Sequence, residues 1–432
     1  MKPNILFIIV HDLGQHMEIY GNTSVRTPNL HRLAEEGVSF ENYFATAPQC
    51  SPSRASIYTG KYPHTHGLMG LANRDLDWSL STSEKTTVQL LRQSGYFTCL
   101  FGLQHESQDP HSLGFDEIVQ PEGESFEKYY CHRVAPVVLE FLRHPKSKPF
   151  YANVGFLEVH RPYPQEVYQP DDPNEVLVPP YLPDTPEVRQ DIAEFHGSIR
   201  KVDRAVGSIF DTLKETGLEE ETLVVFTTDH GIAFPRAKCT LYDPGIKTTL
   251  IMRWPDGGVI GGKVYSELLS NVDFLPTILE VVKAPVPEDI QGKSFLPLLQ
   301  DGKFEPRKEI FAEKTWHIIY DPMRCIRTSR YKYIRNFIDG PLLRLPGDME
   351  KSLSRKSLGK THLKPRPEEE LYDLRQDPNE QNNLAGKSEY SEIQTKLSGR
   401  LIEWMKKTKD PVLEGQIPIV DGWGALRYAR WE

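Results

Sequence analysis

Ile5-Leu6-Phe7-Ile8-Ile9-Val10-His11-Asp12 is the stretch that decides the fold. An unbroken apolar run of this length reads as a strand buried on both faces, as in a parallel sheet covered by helices. The run is too short for the apolar core of a signal peptide with its cleavage site, and it leads straight into polar residues. His11-Asp12 then falls at the carboxyl end of the strand, where open α/β sheets gather their ligands. The plainer reading is a polar loop in which Asp12 caps the next turn.

A second stretch repeats this pattern far along the chain. Leu223-Val224-Val225-Phe226-Thr227-Thr228 runs into Asp229-His230-Gly231. Asp-His-Gly is ordinary turn chemistry, but two strand ends carrying Asp and His can converge at one sheet edge. Together they would offer oxygen and nitrogen donors to a divalent metal. Outward from these two strands, 97–101, 149–156 and 248–252 also read as strands. Helical spacing appears over 28–36, 52–59, 86–94, 126–143, 186–216 and 272–282. The alternation predicts an α/β fold with a large, mostly parallel central sheet and helices on both faces.

After about residue 305 the texture changes to short β-rich pieces, 309–312, 323–328 and 331–337, and a closing helix, 388–407. This predicts a catalytic domain over 1–305 and a smaller α+β subdomain with an antiparallel sheet over 306–432. The basic, proline-containing segment 351–367 within the smaller unit reads as a solvated surface loop. Loops 61–75, 103–125, 161–185 and 316–350 are the expected pocket walls.

The bulk properties exclude some function classes. A formal charge of −9 argues against a nucleic-acid binder, although a local cluster of Lys, Arg and metal can still hold an anionic substrate. No apolar stretch approaches the roughly 18–20 residues of a membrane span. As the sequence stands the protein reads as cytoplasmic, or as periplasmic or secreted if a leader has been removed. Five cysteines, widely spaced and odd in number, argue against a disulfide framework and leave at least one thiol for chemistry. Nothing in the sequence sets an oligomeric state.

Cys50-Ser51-Pro52-Ser53-Arg54 is the third cluster. Ser51 suits an N-cap and Pro52 a first helical position, with Ala55, Ile57 and Tyr58 continuing into a short helix. Cys50 would then stand at a helix N-terminus, where free amides attract an anion. Arg54, one turn on, can return its planar fork of donors to the same spot. The alternative is a buried structural cysteine at a helix entry.

Cys50-x-Pro52-x-Arg54 resembles the signature of type I, formylglycine-dependent sulfatases, members of the alkaline phosphatase superfamily. Its surroundings agree: Thr27-Pro28-Asn29-Leu30 and Phe40-x-Asn42-x-Phe44 precede it and Thr59-Gly60-Lys61-Tyr62-Pro63-His64 follows. Leu371-Tyr372-Asp373-Leu374-x-x-Asp377-Pro378-x-Glu380-x-x-Asn383-Leu384 looks like the C-terminal signature. The segment from Asp229 to Gly245 is similar to the matching stretch of heparan N-sulfatases (sulfamidases), which remove sulfate from the amino nitrogen of a terminal glucosamine.

The resemblance implies an alkaline-phosphatase-like fold and a Cys50 oxidised to formylglycine by a formylglycine-generating or anaerobic maturase enzyme. One hydroxyl of the hydrated aldehyde would attack sulfur, and the other would expel sulfate by collapse to the aldehyde, whereas a serine would be left as a stable sulfate ester. The expected metal positions are His11, Asp12, Cys50, Asp229 and His230. Arg54 would hold the formylglycine hydroxyls and His105 would steady the nucleophile. Lys238 would grip the sulfate and leaving group, and His160 would contact the sulfate and protonate the leaving group. His64 and His66 join Lys238 and His160 as expected substrate contacts. The substrate would be a sulfated saccharide or another small sulfo compound.

Three positions depart from the family pattern. The usual tandem Asp-Asp is His11-Asp12, the usual Asn after the distal Asp is His230, and the usual Lys two residues before His105 is Leu103. Family resemblance implies Ca2+, but two imidazoles soften the site and favour Mn2+ or Zn2+. The alternatives are a phosphonate or phosphate monoester hydrolase of the same superfamily, and a non-catalytic sulfoglycan-binding relative.

Overall fold

Alternate residues of the first strand pack into different cores. Ile5, Phe7 and Ile9 belong to one apolar cluster, and Leu6, Ile8 and Val10 to another. The apolar run is therefore explained by burial of the sheet on both faces. The computed structural model describes residues 2–72, 78–123, 125–147 and 149–417. Residues 418–432 of the expected C-terminal unit, and 73–75 and 124 of two expected pocket loops, lie outside them.

Eight strands form the central sheet. Across it they run Lys263–Tyr265, Val38–Phe40, Leu250–Arg253, Thr222–Thr228, Asn4–Val10, Phe150–Gly155, Phe97–Gly102 and Glu117–Val119. Leu250–Arg253 runs antiparallel to both its neighbours, and the remaining pairs are parallel. Three two-residue strands, Tyr43–Phe44, Lys247–Thr248 and Leu269–Ser270, make a small second sheet beside it.

Helices cover both faces. Pro186–Glu215 is capped by Thr185, whose hydroxyl accepts from the Val188 amide, and carries Pro186 and Glu187 in its first turn. Its buried stripe, including Ile192, Phe195, Ile199, Val202 and Val206, lies in one core with Val134 and Val138 of helix Cys131–Arg143. On the other face pack Cys50–Thr59, Thr87–Gln93 and Phe274–Val281.

Four antiparallel strands follow, in the order Glu309–Trp316, Tyr320–Thr328, Tyr331–Asn336 and Glu369–Asp373. Helix Ser391–Lys407 buries Leu397, Leu401, Trp404 and Met405 in the same cluster as Phe274 and Ile278 of the large sheet's covering helix. The fourth strand, expected only as a sequence signature, is an edge strand of this sheet.

Two local expectations change. The helix carrying Arg54 begins at Cys50, and Ser51 does not cap it: the Ser51 hydroxyl accepts from the Ala72 amide at 2.9 Å. The segment 351–367 is not a plain solvated loop. It holds helix Leu353–Ser357, where the Ser354 hydroxyl donates to buried Asp191 at 2.5 Å. Asp191 in turn accepts from Nη1 and Nη2 of Arg161. A basic composition hides this anchor because the residue that makes it is a serine. The five cysteines are free and buried. Among the described residues no helix is long and apolar enough to cross a membrane.

Candidate active site

Val10 lies opposite Thr228 in a parallel pair, so His11-Asp12 and Asp229-His230 leave the sheet side by side. Asp229 ties the two ends together. Its Oδ1 accepts from the backbone amides of Asp12 at 3.0 Å and His230 at 2.9 Å. Its Oδ2 lies 2.9 Å from His11 Nδ1 and accepts from Arg54 Nε at 3.0 Å. Asp12 adopts φ 54, in the left-handed region that aspartate enters more readily than most side chains. Gly231 is required where it stands, because a Cβ there would lie 1.7 Å from the Pro244 carbonyl oxygen.

The third cluster arrives on the opening turn of helix Cys50–Thr59, every residue of which is buried. Cys50 Sγ lies 3.4 Å from His230 Nε2. Ser53 donates its hydroxyl to the Asp229 carbonyl, and Asn271 Nδ2 holds the Ser53 hydroxyl oxygen at 3.0 Å. Arg54 is spent on Asp229 and on the Val10 carbonyl, 3.4 Å from Nη2, so it braces both strand ends from beneath Cys50.

The donor geometry fits a metal. His230 Nδ1 donates to the Gly231 carbonyl at 2.9 Å and Nε2 lies 3.0 Å from Asp12 Oδ1. Against burial, Asp229 and Asp12 hold the ring's pKa well above the ordinary histidine range, so a cation bound here would displace the Nε2 proton and take its lone pair. Asp12 Oδ1 and His11 Nε2 are both buried with no hydrogen-bond partner among the described residues. Ligand atoms of Asp12, Cys50 and His230 lie within 4.8 Å of one another, as do those of His11, Asp12 and Asp229. Buried polar atoms crowded together without hydrogen bonds are costly unless a cation takes their lone pairs. Burial, with Arg54 nearby, pulls the His11 pKa down to about 4 against the opposing Asp229, so the ring is neutral at neutral pH and able to ligate. Burial also pushes the Cys50 thiol up, against the pull of Lys238, which makes an unmodified thiol here a weak nucleophile.

His105 and His160 flank this cluster. The His105 ring centroid is 5.9 Å from that of His11, and one of its nitrogens lies within 4.8 Å of Cys50 Sγ. His160 is 5.8 Å from His11 by centroids and 3.9 Å from Asp12 Oδ2 through Nε2, while its Nδ1 lies 2.6 Å from the Arg161 carbonyl. Lys238, 1% exposed, donates to Asp12 and to Asp348, each at 2.9 Å. Burial alone would lower its pKa, but the two carboxylates outweigh burial and hold it well above the ordinary lysine range. Cys239, the residue after Lys238, helps to line a cavity of about 570 Å³ whose wall mixes Ile318, Leu343 and Leu345 with Lys314, His317 and Arg344.

The structure thus brings together His11, Asp12, Cys50, Arg54, His105, His160, Asp229, His230 and Lys238. It does not bring His64 and His66, and their expected role as substrate contacts is corrected. Both are buried away from the cluster. The His64 amide and Nδ1 bind Glu313, at 2.6 and 2.5 Å, in a network with Arg324 and Asp410. His66 shares Nε2 with the Ser56 hydroxyl at 3.2 Å. They join the helix after the motif to the antiparallel sheet. The sequence reading also missed Asp348, on the short helix Gly347–Glu350, which reaches Lys238 across more than a hundred residues of chain. Pro346-Gly347-Asp348 looks like any turn, so no signal in one sequence singles it out.

Residues 3–284 match the sulfatase family, and residues 231–347 match the family described as N-sulphoglucosamine sulphohydrolase, C-terminal. An ulvan-active sulfatase of Formosa agariphila is 31% identical over 436 residues, covering 97% of this chain and 83% of that protein. Human N-sulphoglucosamine sulphohydrolase is 28% identical over 464 residues, covering 94% of this chain and 91% of that protein. A structure solved in complex with its substrate D-glucosamine-2-N,6-O-disulfate superimposes with a TM-score of 0.74 at 22% identity, over 95% of this chain and 99% of that one, which speaks to the fold. With the family match spanning most of the chain and the cysteine, carboxylates and imidazoles meeting at one strand edge, the chain belongs to the sulfatase family of hydrolases.

Proposed function

We propose that this sulfatase removes a sulfo group from a sulfated sugar, with N-sulfoglucosamine as its preferred substrate class. The observation that carries the reading is Cys50 Sγ at the opening of a buried helix, 3.4 Å from His230 Nε2 and inside the donor set of His11, Asp12 and Asp229. A bound divalent cation would supply Lewis acidity to the sulfuryl oxygens and lower the pKa of the attacking hydroxyl. The protein's own groups do the rest. Lys238 faces the sulfo group with a positive charge, and His160 carries the proton for the leaving atom. Arg54 and Asn271 fix the turn that presents residue 50. The aldehyde form of Cys50, supplied by a maturation enzyme, is part of this reading. Preference for the N-sulfo class is supported by the 231–347 match, a stretch that contains Lys238 and much of the cavity wall.

Parallel assays on N-sulfoglucosamine, glucosamine 6-sulfate, an aryl sulfate and an aryl phosphonate test it. Turnover is expected on the sulfo compounds, fastest on N-sulfoglucosamine. A phosphonate hydrolysed far faster than every sulfo substrate contradicts the sulfatase reading.

A further inference from the structure

Asp348 touches the buried donor cluster through Lys238 and follows a residue that lines the cavity. Its Oδ2 is 2.9 Å from Lys238 Nζ and 3.8 Å from His160 Nε2, and its side chain keeps 17% of its exposure. Neighbouring Gly347 lines the cavity. A second carboxylate beside the lysine does nothing for an incoming sulfo group, which it repels. Its place beside His160 gives it a role toward the leaving group. Two atoms 3.8 Å apart can both hydrogen-bond a third placed about 3 Å from each. An atom that takes its proton from His160 Nε2 therefore also falls within reach of the Asp348 carboxylate.

We propose that Asp348 makes the site selective for sulfo groups on nitrogen over those on oxygen, by pairing with the leaving nitrogen as it becomes cationic. The proposal rests on the reading of the site as one that cleaves N-sulfoglucosamine. In that cleavage the S–N bond breaks with its electron pair going to nitrogen, while sulfur passes to the nucleophile and finally to water as hydrogen sulfate. The nitrogen, which already carries one proton, takes a second from His160 on its lone pair, so that it is cationic before the S–N bond breaks. It departs as the neutral amine and takes a third proton from water afterwards. In a sulfate ester the departing oxygen takes one proton and leaves as a neutral alcohol. Only the nitrogen acquires positive charge, and only a cation gains a charge-assisted hydrogen bond from a carboxylate. The competing role for Asp348 is to neutralise Lys238, which would affect both sulfo classes alike.

Asp348→Asn, nearly isosteric, separates the two in the metal-loaded, aldehyde-bearing enzyme. The readouts are kcat/KM on N-sulfoglucosamine and on glucosamine 6-sulfate, with inhibition by glucosamine, a cation, and by N-acetylglucosamine, which is neutral. The ratio of N-sulfo to O-sulfo kcat/KM is expected to fall about tenfold or more. Inhibition by glucosamine should weaken while that by N-acetylglucosamine moves less. Equal changes on both substrates, with glucosamine inhibition retained, overturn the proposal and leave the sulfamidase reading standing. A parent enzyme that hydrolyses the 6-sulfate and not the N-sulfo sugar overturns that reading, and this role with it. Thermal midpoints check folding, and Asp348→Ser gives the same ratio should the Asn variant unfold.

Discussion

Arg54 and Asp229 are both fully buried, and neither charge is tolerable there without the other. Removing one side of such a pair strands the other, at a cost of about 3–5 kcal/mol. Arg54→Ala is therefore expected to lower unfolding stability by about that much and to abolish turnover, with Arg54→Lys intermediate because it keeps the charge and loses the fork. Denaturant unfolding checks this, and an Ala variant as stable as the parent contradicts it. The metal prediction belongs to the same residues. His11 and His230 place two imidazole nitrogens among the carboxylates, so after chelation Mn2+ or Zn2+ should restore more activity than Ca2+. Recovery with Ca2+ alone contradicts that softening. His11, Asp12, Asp229 and His230 were legible in the sequence because each follows an apolar strand directly. Asp348 was not, because its position depends on a loop path that no periodicity encodes. His64 and His66 were misread because their proximity to the motif in sequence suggested the pocket, while Glu313 on a distant strand holds His64.

At the scale of elements, the site depends on how two strand ends and one helix start are held. Gly231 lets the chain after Asp229-His230 pass against Pro244, with no room for a Cβ. Gly231→Ala is expected to cost about 2 kcal/mol or more of stability and to weaken metal retention, because the clash is with backbone and the residues it displaces are the donors. Metal content after gel filtration, read alongside the unfolding midpoint, checks both halves. A variant with unchanged midpoint and metal content would show that the loop can yield. Strands buried on both faces and the long helix Pro186–Glu215 were readable from hydrophobic spacing. The start of the Cys50 helix was not, because the buried Ser51 hydroxyl serves the Ala72 amide in preference to its own helix. Nor was the anchoring of 351–367, which rests on Ser354 meeting Asp191.

Across the whole molecule, several histidines are buried in neutral form. Burial lowers His66 and His317 to about 3 and His196 to about 4, from an ordinary value of 6.5. At each of these three rings the unfolded chain therefore binds more protons than the native state below pH 6.5. The stability these rings contribute is fully present above pH 6.5 and falls as pH drops toward 4, each ring steepening the fall by about 1.4 kcal/mol per pH unit. Urea midpoints from pH 7.5 to 4.5 should show that decline, and a flat profile contradicts neutral burial. The class of fold was legible because the central sheet is covered on both sides and its strands need no polar face. The packing of helix Ser391–Lys407 into the same cluster as Phe274 was not, since spacing along a helix shows that it has an apolar face and not which neighbour covers it. The central claim, that residue 50 acts through its aldehyde form in this setting, is tested most directly by one paired measurement. Preparations made with graded amounts of maturation enzyme are assayed for sulfo-group release, and the peptide spanning Cys50 is weighed by mass spectrometry. Turnover is predicted to rise in proportion to the fraction of thiol converted to aldehyde and to vanish with it; full turnover from protein whose Cys50 is an intact thiol would contradict the account.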